Sequence, residues 1–525
     1  MSEATLETTV PRRRAGGRRS ARVQDRQSGM SFQQLPPGQR RHRMRAIDIV
    51  SADELESIHE TSLRVLEEIG MDFIHEGAKE ILRQHGADVA KDSDRVRFPR
   101  ELILKSIKTI PEQFELTSRN PARSRLIGRD CFVMAPVASA PNTHSRAGGR
   151  RDGNQQDFQD FLRLAQTTNV ADLTQGYPVE PVDIHASVRH LHCIADFIRM
   201  TDKPWQAYSL GQQRNLDSIE MCRISHGVSE AEFDAQVRMT SVINTSSPLK
   251  LDTVMLEGIM QMSARNQLIV LTPFTLSGAM APVTLAGAAV QQNAEALAGL
   301  AFTQMVRPGA PVAYGGFTSN VDMKSGAPAF GTPEYMKTVM LGGQLCRRYG
   351  IPYRSSNVVA ANTVDAQAAY EAVFSIWALM HSGVNLVKHT FGWMEGGLQA
   401  SFEKFMLDVD LIQMALKFLE PLGFTEEDLA FDAIKEVDST GHFLGTAHTQ
   451  ARYTSAFYNP ILSDWRNYET WAEAGSPTTF DHAERAYQEM LTAYEAPPAM
   501  PQDREEELTA FIAKRIEEGG VETDF

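Results

Sequence analysis

Short apolar segments alternate with longer helical patterns between residues 130 and 420, and this alternation constrains the fold more than any other feature. Each apolar segment has the length and composition of a buried strand and ends near Gly, Asn, Ser or Pro. The predicted strands cover residues 131–136, 173–179, 205–210, 239–244, 268–274, 312–317, 352–357 and 384–390. The predicted helices lie near residues 155–167, 187–200, 213–226, 252–265, 284–306, 333–349, 365–382 and 399–419.

Eight such strand–helix units indicate parallel strands joined by crossover helices. We therefore predict an α/β fold with a (β/α)8 TIM barrel over residues 126–420. An open doubly wound sheet is the alternative. It usually contains fewer units, and no GxGxxG pattern follows the first predicted strand.

The predicted barrel has an extension on either side. Residues 46–125 are expected to form a helical segment that begins with a capping box, Ser51 with Glu54. Residues 1–45 contain eleven Arg, no Lys and three acids, with few large apolar groups, which predicts a disordered basic tail. Residues 421–525 are expected to form a C-terminal cap or subunit-contact segment, with two amphipathic helices over residues 481–518.

Charge and cysteine usage limit the class of partner and the compartment. The formal net charge is -14, and residues 1–45 carry about +8, so the rest of the chain carries about -22. An acidic body argues against nucleic acid as the main partner. The four cysteines are far apart, without a CxxC pair, and no apolar segment follows the basic residues at the start. We expect a cytoplasmic protein that does not bind membranes.

The ends of the predicted strands carry aromatic side chains and few acids or bases. In a barrel of this class the active site lies at the C-terminal ends of the strands. The candidate site residues there are Tyr177, Tyr208, Asn244, Phe317, Asp322, Arg354, His389, Phe391 and Trp393. Aromatic faces suit a cation, and quaternary ammonium groups bind in aromatic cages. Packing at the top of a barrel is the other reading of these rings, and the sequence leaves both open.

Arg354 lies inside a predicted strand, where an unpaired guanidinium would be costly. It pairs with a protein acid or it binds a substrate carboxylate, and either is compatible with the sequence. Lys388 and His389 are adjacent in the last predicted strand, so strict alternation allows only one of them to face the barrel interior. An inward Lys388 would permit Schiff-base chemistry. An inward His389 would leave Lys388 facing the helices, and the residues alone leave both orientations open.

Familiar metal and nucleotide motifs are absent from the sequence. There is no P-loop, HExxH, GxSxG or EF-hand pattern. His190, His192 and Cys193 lie on one predicted helix without a further ligand at metal spacing. Asp183 and His185 resemble the start of a cobalt-binding DxHxxG loop, but Val188 stands where its glycine would be. We predict no metal site and no cobalamin-binding module in this chain.

Several short motifs, in their order and spacing, carry a family resemblance. They are GYPVEP (residues 176–181), NTSSPL (244–249), YGGFTSNVDMKSG (314–326), GTPEY (331–335), DAQAAYE (365–371), WMEGGL (393–398) and GHFLGTAHT (441–449). With them the chain resembles the trimethylamine methyltransferase family, the corrinoid-protein-dependent methylamine and betaine methyltransferases, over about residues 46–516. The resemblance implies a (β/α)8 barrel that moves a methyl group from an amine to the Co(I) of a partner corrinoid protein.

The archaeal founders of that family carry pyrrolysine in the barrel, whereas this chain contains only standard residues. The resemblance therefore implies a quaternary amine such as glycine betaine rather than trimethylamine. It implies no catalytic side chain and no tightly bound cofactor, because the partner supplies the methylcorrinoid (cobalamin). We hypothesise that Arg354 and His389 bind the betaine carboxylate, and with this resemblance we predict that His389 faces inward and Lys388 faces the helices. The cage candidates are Tyr177, Tyr208, Phe317, Phe391 and Trp393, with Asn244 and Asp322 as polar supports.

Three other functions stay open from the sequence. The first is a barrel that binds quaternary amines without catalysis, and the second is a methyltransferase for a trimethylamine-type substrate. The third is a Schiff-base lyase that uses Lys388. We also expect the protein to form a homo-oligomer.

Overall fold

A computed structural model describes residues 30–437, 439 and 441–523. The part of the predicted tail before residue 30 lies outside the described residues. The barrel contains seven regular parallel strands, each pairing with the next in chain order except at the second unit. They are β1 (Cys131–Met134), β2 (Gln206–Tyr208), β3 (Thr240–Thr245), β4 (Leu268–Pro273), β5 (Val312–Gly315), β6 (Tyr353–Ser356) and β7 (Leu386–Lys388).

The second predicted strand is irregular but still closes the barrel. The Asp172 amide donates to the Met134 carbonyl at 2.9 Å, and the Thr174 amide donates to the Pro204 carbonyl at 2.9 Å. This segment therefore lies between β1 and β2 and joins them through the backbone. The (β/α)8 prediction is confirmed, with one of its eight units lacking regular strand geometry.

All eight predicted barrel helices are present. They are α1 (Gln155–Thr167), α2 (Arg189–Met200), α3 (Gln212–His226), α4 (Thr253–Ala264), α5 (Leu285–Val306), α6 (Pro333–Tyr349), α7 (Ala366–Ser382) and α8 (Phe402–Phe418). A short helix, Glu230–Asp234, precedes β3. The start of α6 shows why the boundaries were readable from the sequence. Thr332 caps the helix by accepting from the Tyr335 amide at 3.2 Å, and Pro333 occupies the first turn.

Side chains fill the barrel interior. Val133, Leu173, Val270 and Leu386 belong to one buried cluster inside the strands. An antiparallel hairpin closes the N-terminal end of the barrel, and its apolar residues join the same cluster. Its strands are Gln113–Leu116 and Arg125–Gly128. The lower half of the barrel is therefore a packed core, which leaves the C-terminal ends of the strands for a site.

The N-terminal segment is a mixed unit and not purely helical. Its helices are Ala52–Arg64, a π-helical turn at Val65–Ile69, Glu76–Gln84, Arg100–Ile107 and a 3-10 turn at Pro121–Arg123. A small sheet, which we did not predict, has the strand order Lys250–Leu251, Met71–Phe73, Arg95–Arg97 and Asp88–Val89. The predicted capping box is confirmed, because Ser51 and Glu54 exchange both of its hydrogen bonds.

Residues 30–45 are ordered, so the predicted disorder is wrong for this part of the tail. The Ser31 amide donates to Glu489 at 2.7 Å, and the strand Arg40–Arg41 pairs antiparallel with β1. The His42 ring contacts the Val384 carbonyl at 2.6 Å. Composition missed this segment because backbone pairing and a few side chains such as Leu35, rather than a core of its own, hold it in place.

Two small sheets lie beyond the C-terminal ends of the barrel strands. The first contains Leu276–Ser277, Ser319–Val321 and Pro328–Ala329. The second contains Trp393–Met394, Gln399–Ser401, Asn142–Ser145 and Gly149–Asp152, with a 3-10 turn at Glu395–Gly397. These sheets rigidify the loops that follow β1, β4, β5 and β7.

The C-terminal segment consists of helices that follow α8. They are Glu426–Leu429, Phe431–Val437, Ala447–Gln450, Tyr468–Glu473, Thr479–Thr492 and Gln502–Glu517, with a 3-10 turn at Phe443–Gly445. The last two helices match the predicted amphipathic pair and pack on the barrel, for example through Arg515 to Asp217 at 2.9 Å. One hydrophobic cluster runs from Leu66 through Phe302 to Met490. No helix in the described part of the chain is long and apolar enough to cross a membrane.

Candidate active site at the barrel mouth

Arg354 is the central charged group of the upper barrel. Its strand neighbours Tyr353 and Ser355 face α6, where the Tyr353 hydroxyl donates to the Val339 carbonyl at 2.9 Å. Arg354 pairs in register with Leu386, a member of the interior cluster, so its side chain points into the barrel. Only 3% of the residue is exposed.

The Arg354 guanidinium has no carboxylate partner within ion-pair distance among the residues that the structure describes. Its Nε and Nη1 are buried without a hydrogen-bond acceptor. The group stands over the Phe317 ring, with 5.1 Å between the guanidinium carbon and the ring centroid. Burial lowers the pKa of Arg354 to about 10, which leaves it charged at neutral pH. A buried cation with free donors is chemically suited to an anion.

Lys388 also points into the barrel, so the prediction that it faces the helices is wrong. It pairs in register with the inward-facing Ser356, and its amine donates to the Gln206 side chain on β2, across the barrel. Lys388 is fully buried. Burial first, and then the charge of Arg354, lower the pKa of Lys388 well below its usual value. Lys388 and Gln206 form the floor of the site.

His389 faces the mouth as well, because its backbone breaks the alternation of the strand. Its φ is +53°, in the left-handed region, so both it and Lys388 lie on the barrel side. The His389 Nδ1 lies 3.0 Å from the Ser356 hydroxyl. Burial, followed by the charges of Arg354 and Lys388, lowers the pKa of His389 well below its usual value and favours the neutral ring.

An aromatic cluster surrounds these groups on the side of β4 to β7. Phe317 contacts Phe274 at 5.3 Å, Phe330 at 5.7 Å and the His389 ring at 6.0 Å between centroids. Trp393 stacks on His389 at 5.5 Å and meets Phe330 edge-on at 5.3 Å. The structure therefore brings Phe317, His389, Trp393 and Arg354 together. Phe274 and Phe330 join them, although neither is among the predicted site residues.

Tyr177 and Tyr208 form a separate pair on the other side of the mouth. Their rings meet edge-on at 4.6 Å, and the Tyr208 hydroxyl lies 2.6 Å from the Ser139 hydroxyl. Gly176, at φ +43°, allows this contact, because a Cβ there would lie 2.8 Å from the Tyr208 ring. In the described part of the chain no ring contact joins this pair to the Phe317 cluster.

Three predicted site residues lie outside this arrangement. The Phe391 ring is fully buried, and its centroid lies 5.5 Å from that of Phe405 on α8, as expected for a core residue. Asn244 lies near the end of β3 and is exposed. Asp322 is exposed in the turn after Ser319–Val321, where its carboxylate accepts from the Ser325 hydroxyl at 2.6 Å. Their roles in binding stay predictions.

A buried polar group supports the turn at His389, and the sequence reasoning missed it. Asp408 on α8 accepts from the Gly392 amide at 2.8 Å and from Asn357 at 3.2 Å, and it pairs with Lys404. The four-residue spacing of Lys404 and Asp408 on a predicted helix was the available signal. This group anchors the chain between β7 and the Trp393 strand.

Two of the motifs hold loops around the mouth. In NTSSPL, the Ser247 hydroxyl and the Leu249 amide donate to the buried Glu295 at 2.6 and 2.8 Å. In DAQAAYE, Glu371 accepts from the Ala360 and Ala361 amides at 2.7 and 3.1 Å. Both acids are therefore occupied by structural hydrogen bonds.

The described residues offer no built metal centre at the mouth. Among all the described residues, the one group of acids and histidines with metal-like spacing is Glu56, His59 and Glu60, which lies on the N-terminal helix and away from the mouth. Arg348 already pairs with Glu56 at 2.7 Å, and Arg100 pairs with Glu60 at 2.9 Å. The mouth instead combines a cation with free donors, a neutral imidazole and aromatic faces. This combination is chemically suited to a ligand that carries an anionic group.

The known proteins that are similar to this chain cover most of its length. The family model "Trimethylamine methyltransferase (MTTB)" matches residues 14–520. The glycine betaine methyltransferase of Desulfitobacterium hafniense (strain Y51) is 36% identical over 476 residues, which cover 90% of this chain and 98% of that protein. The proline betaine:corrinoid methyltransferase of Eubacterium limosum is 26% identical, over 75% of this chain and 83% of that protein. The solved structure of the Methanosarcina barkeri monomethylamine methyltransferase (MtmB) is 10% identical, covers 87% of this chain and 98% of its own, and has a TM-score of 0.48.

Proposed function

The chain belongs to the trimethylamine methyltransferase family, and from this membership we propose that its substrate is a betaine, a quaternary ammonium carboxylate. The enzyme transfers one methyl group from the quaternary nitrogen to the Co(I) of a separate corrinoid protein. Glycine betaine is the first substrate to test, because it is the one named for the relative that is 36% identical.

The unpaired Arg354 is the observation that carries the proposal. Its two free donors point into a site that offers no protein acid among the described residues, so a substrate carboxylate completes their hydrogen bonds. Trimethylamine has no anionic group, and its protonated form would meet the charge of Arg354 without compensation. This argument favours a betaine over the trimethylamine-type alternative.

The aromatic cluster is the proposed site for the quaternary ammonium group. One face of Phe317 is occupied by Arg354, so we assign Phe317 to supporting the guanidinium as well as to lining the site. Trp393 and the partly buried Phe274 remain as faces for the methyl groups, with Tyr208 on the opposite side. We assign His389 to the boundary between the carboxylate site and the ammonium site. It contacts Phe317 and Trp393, and the charge of Arg354 lowers its pKa.

The chemistry requires little from the protein beyond binding and alignment. The carbon–nitrogen bond breaks with its electron pair staying on nitrogen, and Co(I) supplies the pair for the new bond to the methyl carbon. The amine leaves neutral, so no general acid has to protonate it. A mouth that excludes water and fixes the direction of one methyl group is sufficient. The scarcity of acids and bases around Arg354 is consistent with this reaction.

Apolar side chains on the loops around the mouth are available for a protein partner. Leu210, Val283, Met323 and Leu398 are 45%, 67%, 72% and 48% exposed, and each follows a different barrel strand. Exposed apolar residues around a binding mouth are typical of a docking surface. We propose that the corrinoid protein contacts these loops, which would bring its cobalt to the opening.

The experiment is a methyl-transfer assay with free cob(I)alamin as the acceptor. We expect methylcobalamin and dimethylglycine to form from glycine betaine, and no product from trimethylamine. An Arg354→Met variant should lose the reaction. Betaine binding without methylcobalamin formation would support the alternative of a non-catalytic binding barrel, provided that a corrinoid protein as acceptor also gives no product.

A Schiff-base lyase is a second candidate, and the buried Lys388 favours it. Its lowered pKa is what an amine nucleophile requires. The amine already donates to Gln206, however, and no carboxylate that could act as a base lies within ion-pair distance of it in the described part of the chain. Borohydride treatment with pyruvate as the carbonyl probe distinguishes the two functions, because only a lyase becomes covalently labelled at Lys388.

A further inference from the structure

The segment between α8 and residue 458 is mostly exposed in its described part. It leaves at the end of α8 and returns where the Tyr458 hydroxyl donates to Asp410 of α8 at 2.6 Å. We call residues 422–457 the arm. Its helices are Glu426–Leu429, Phe431–Val437 and Ala447–Gln450, with the turn Phe443–Gly445. Both ends of the arm are therefore fixed to the same barrel helix.

The arm is rich in apolar residues but buries almost none of them. Among its described residues, only Ala433, Val437 and Thr446 are buried. Nine large side chains are between 46% and 86% exposed: Leu422, Phe424, Leu429, Phe431, Ile434, Phe443, Leu444, Tyr453 and Phe457. A segment of this composition cannot offset its conformational entropy without burying these groups against another surface.

A second exposed apolar surface lies on the barrel next to the base of the arm. Tyr370, Val373, Phe374 and Trp377 follow the spacing of one helix face on α7. Met414 and Phe418 of α8 continue this face, and the rings of Trp377 and Phe418 are 5.3 Å apart. These six residues, which we call the α7 stripe, are 45–53% exposed. A barrel helix is expected to show a polar outer face, so this stripe is built for a contact.

The combined surface has the size of a stable protein interface. Aromatic and large aliphatic side chains of this number, each about half exposed or more, leave on the order of 1,000–1,500 Å² of surface for contact. The largest apolar patch on a monomer is usually about 300–600 Å², and a standard interface buries about 800 Å² per partner. The arm and the stripe together therefore exceed what a monomer leaves exposed and suffice for a dimer.

We propose that two copies of this chain form a dimer in which the arm of each copy covers the α7 stripe of the other. Both surfaces are exposed on the same folded chain and occur once per copy, so a two-fold arrangement covers all four at once. The arm carries Glu426, Glu427, Asp428 and Asp432, which disfavours an anionic membrane or nucleic acid as the occupant. This contact lies on the outer side of α7 and α8 and is independent of the proposed betaine site.

The first test is sedimentation velocity of the full chain at several concentrations, together with single charge substitutions. The wild-type protein is expected to sediment as a dimer. Trp377→Glu in the stripe and Phe431→Glu in the arm should each raise the dimer dissociation constant by about 100-fold or more, since each places a charge in an apolar contact. Ile69→Glu is the matched control, because Ile69 is 52% exposed on the N-terminal segment and should leave the dimer unchanged.

Mixing the two variants tests whether the arm of one copy contacts the α7 stripe of the other. In a mixed dimer the intact arm of the Trp377→Glu chain meets the intact stripe of the Phe431→Glu chain, so one contact is fully restored. Once one charge has opened a contact, a second charge in the same contact has little left to remove, so the mixed dimer with its one intact contact should be tighter than either variant alone. Circular dichroism melts of each variant confirm that the substitutions, which are at exposed positions, leave the fold intact. A monomeric wild-type protein, a dimer insensitive to both substitutions, or no recovery on mixing would overturn the proposal.

Discussion

Two arginines are buried in the same barrel and differ in what surrounds them. Arg125, at the N-terminal end, is 6% exposed and donates to Asp172 at 2.9 Å and to the Ala122 and Ser124 carbonyls at 3.0 and 2.9 Å. Arg354, near the C-terminal end, is 3% exposed and has two donors without an acceptor. Burial alone therefore does not distinguish them, whereas the completeness of their hydrogen bonding does.

We propose that this difference separates a structural cation, Arg125, from a cation that is kept for a ligand, Arg354. The fold supplies Arg125 with a carboxylate and carbonyls, so its charge is compensated in the free protein. The fold supplies Arg354 with an aromatic face and with Lys388 and His389, whose own pKa values its charge depresses. An unpaired buried cation that lowers the pKa values of its neighbours is typical of a binding site, because a bound anion completes its hydrogen bonds.

The largest expected effect is on stability at the N-terminal end of the barrel. Arg125→Met should lower the free energy of unfolding by about 3–5 kcal/mol, because it leaves Asp172 buried without its cation. Urea unfolding followed by circular dichroism measures the change. Arg129→Met is the matched control, because the pair between Arg129 and Glu112 is exposed and contributes about 0–1 kcal/mol. Equal losses in both variants would contradict the structural role of Arg125.

At the mouth, the same substitution should act on binding and not on stability. Arg354→Met should weaken glycine betaine binding by about 2–5 kcal/mol, the loss usual for one partner of a buried charge pair. Its free energy of unfolding should not fall, because the variant removes an uncompensated buried charge. Titration calorimetry and urea unfolding measure the two quantities. Unchanged betaine affinity would end the assignment of Arg354 to the carboxylate, and Arg354→Lys should recover only part of the affinity.

The aromatic cluster should contribute a smaller effect that depends on the charge of the ligand. Trp393→Leu should weaken glycine betaine binding by about 0.5–2 kcal/mol, the range for a cation over an aromatic face. The isostere 3,3-dimethylbutanoate, in which a neutral carbon replaces the quaternary nitrogen, keeps the shape and the carboxylate but lacks the cation, so its affinity should change less. Phe391→Leu is the control, because the Phe391 ring packs on Phe405. Equal losses for both ligands would indicate packing and not a cage.

The sequence predicted the barrel well because its eight units repeat one pattern of apolar segment and helix. In the second unit the Asp172 and Thr174 amides pair with the neighbouring segments, but no regular strand ladder forms. Residue propensities do not predict which backbone amides pair, so this irregularity was not predictable. Arg354 could be selected as a candidate site residue from the sequence, since a charge within an apolar strand requires either a protein partner or a ligand. The inward direction of Lys388 was not, because the left-handed backbone of His389 depends on support from α8, through Asp408.

A pH-linked effect at the floor of the site is smaller again. In the free protein, burial and the charge of Arg354 lower the pKa of Lys388, which favours the uncharged amine. A bound carboxylate favours the charged form, so betaine binding should raise this pKa and take up a fraction of a proton at neutral pH. Calorimetry in buffers of different ionisation enthalpy measures the uptake. Lys388→Met should abolish it, and proton release on binding would contradict the sign.

The smallest effect is expected at Asp322, which the sequence places among the site residues and the structure places in an exposed turn. Its carboxylate accepts from the Ser325 hydroxyl and from the Lys324 and Ser325 amides, at 2.6, 3.2 and 3.1 Å, so it closes its own turn. Asparagine keeps only one of the two acceptor oxygens, but the turn is exposed and water can replace the lost hydrogen bonds, so Asp322→Asn should change betaine affinity by less than about 0.5 kcal/mol. A loss as large as that of Arg354→Met, measured by the same calorimetry, would mean that this turn closes over the bound substrate. Asp322 would then belong with Arg354, among the charges that bind substrate, and not with Arg125, among the charges that stabilise the fold.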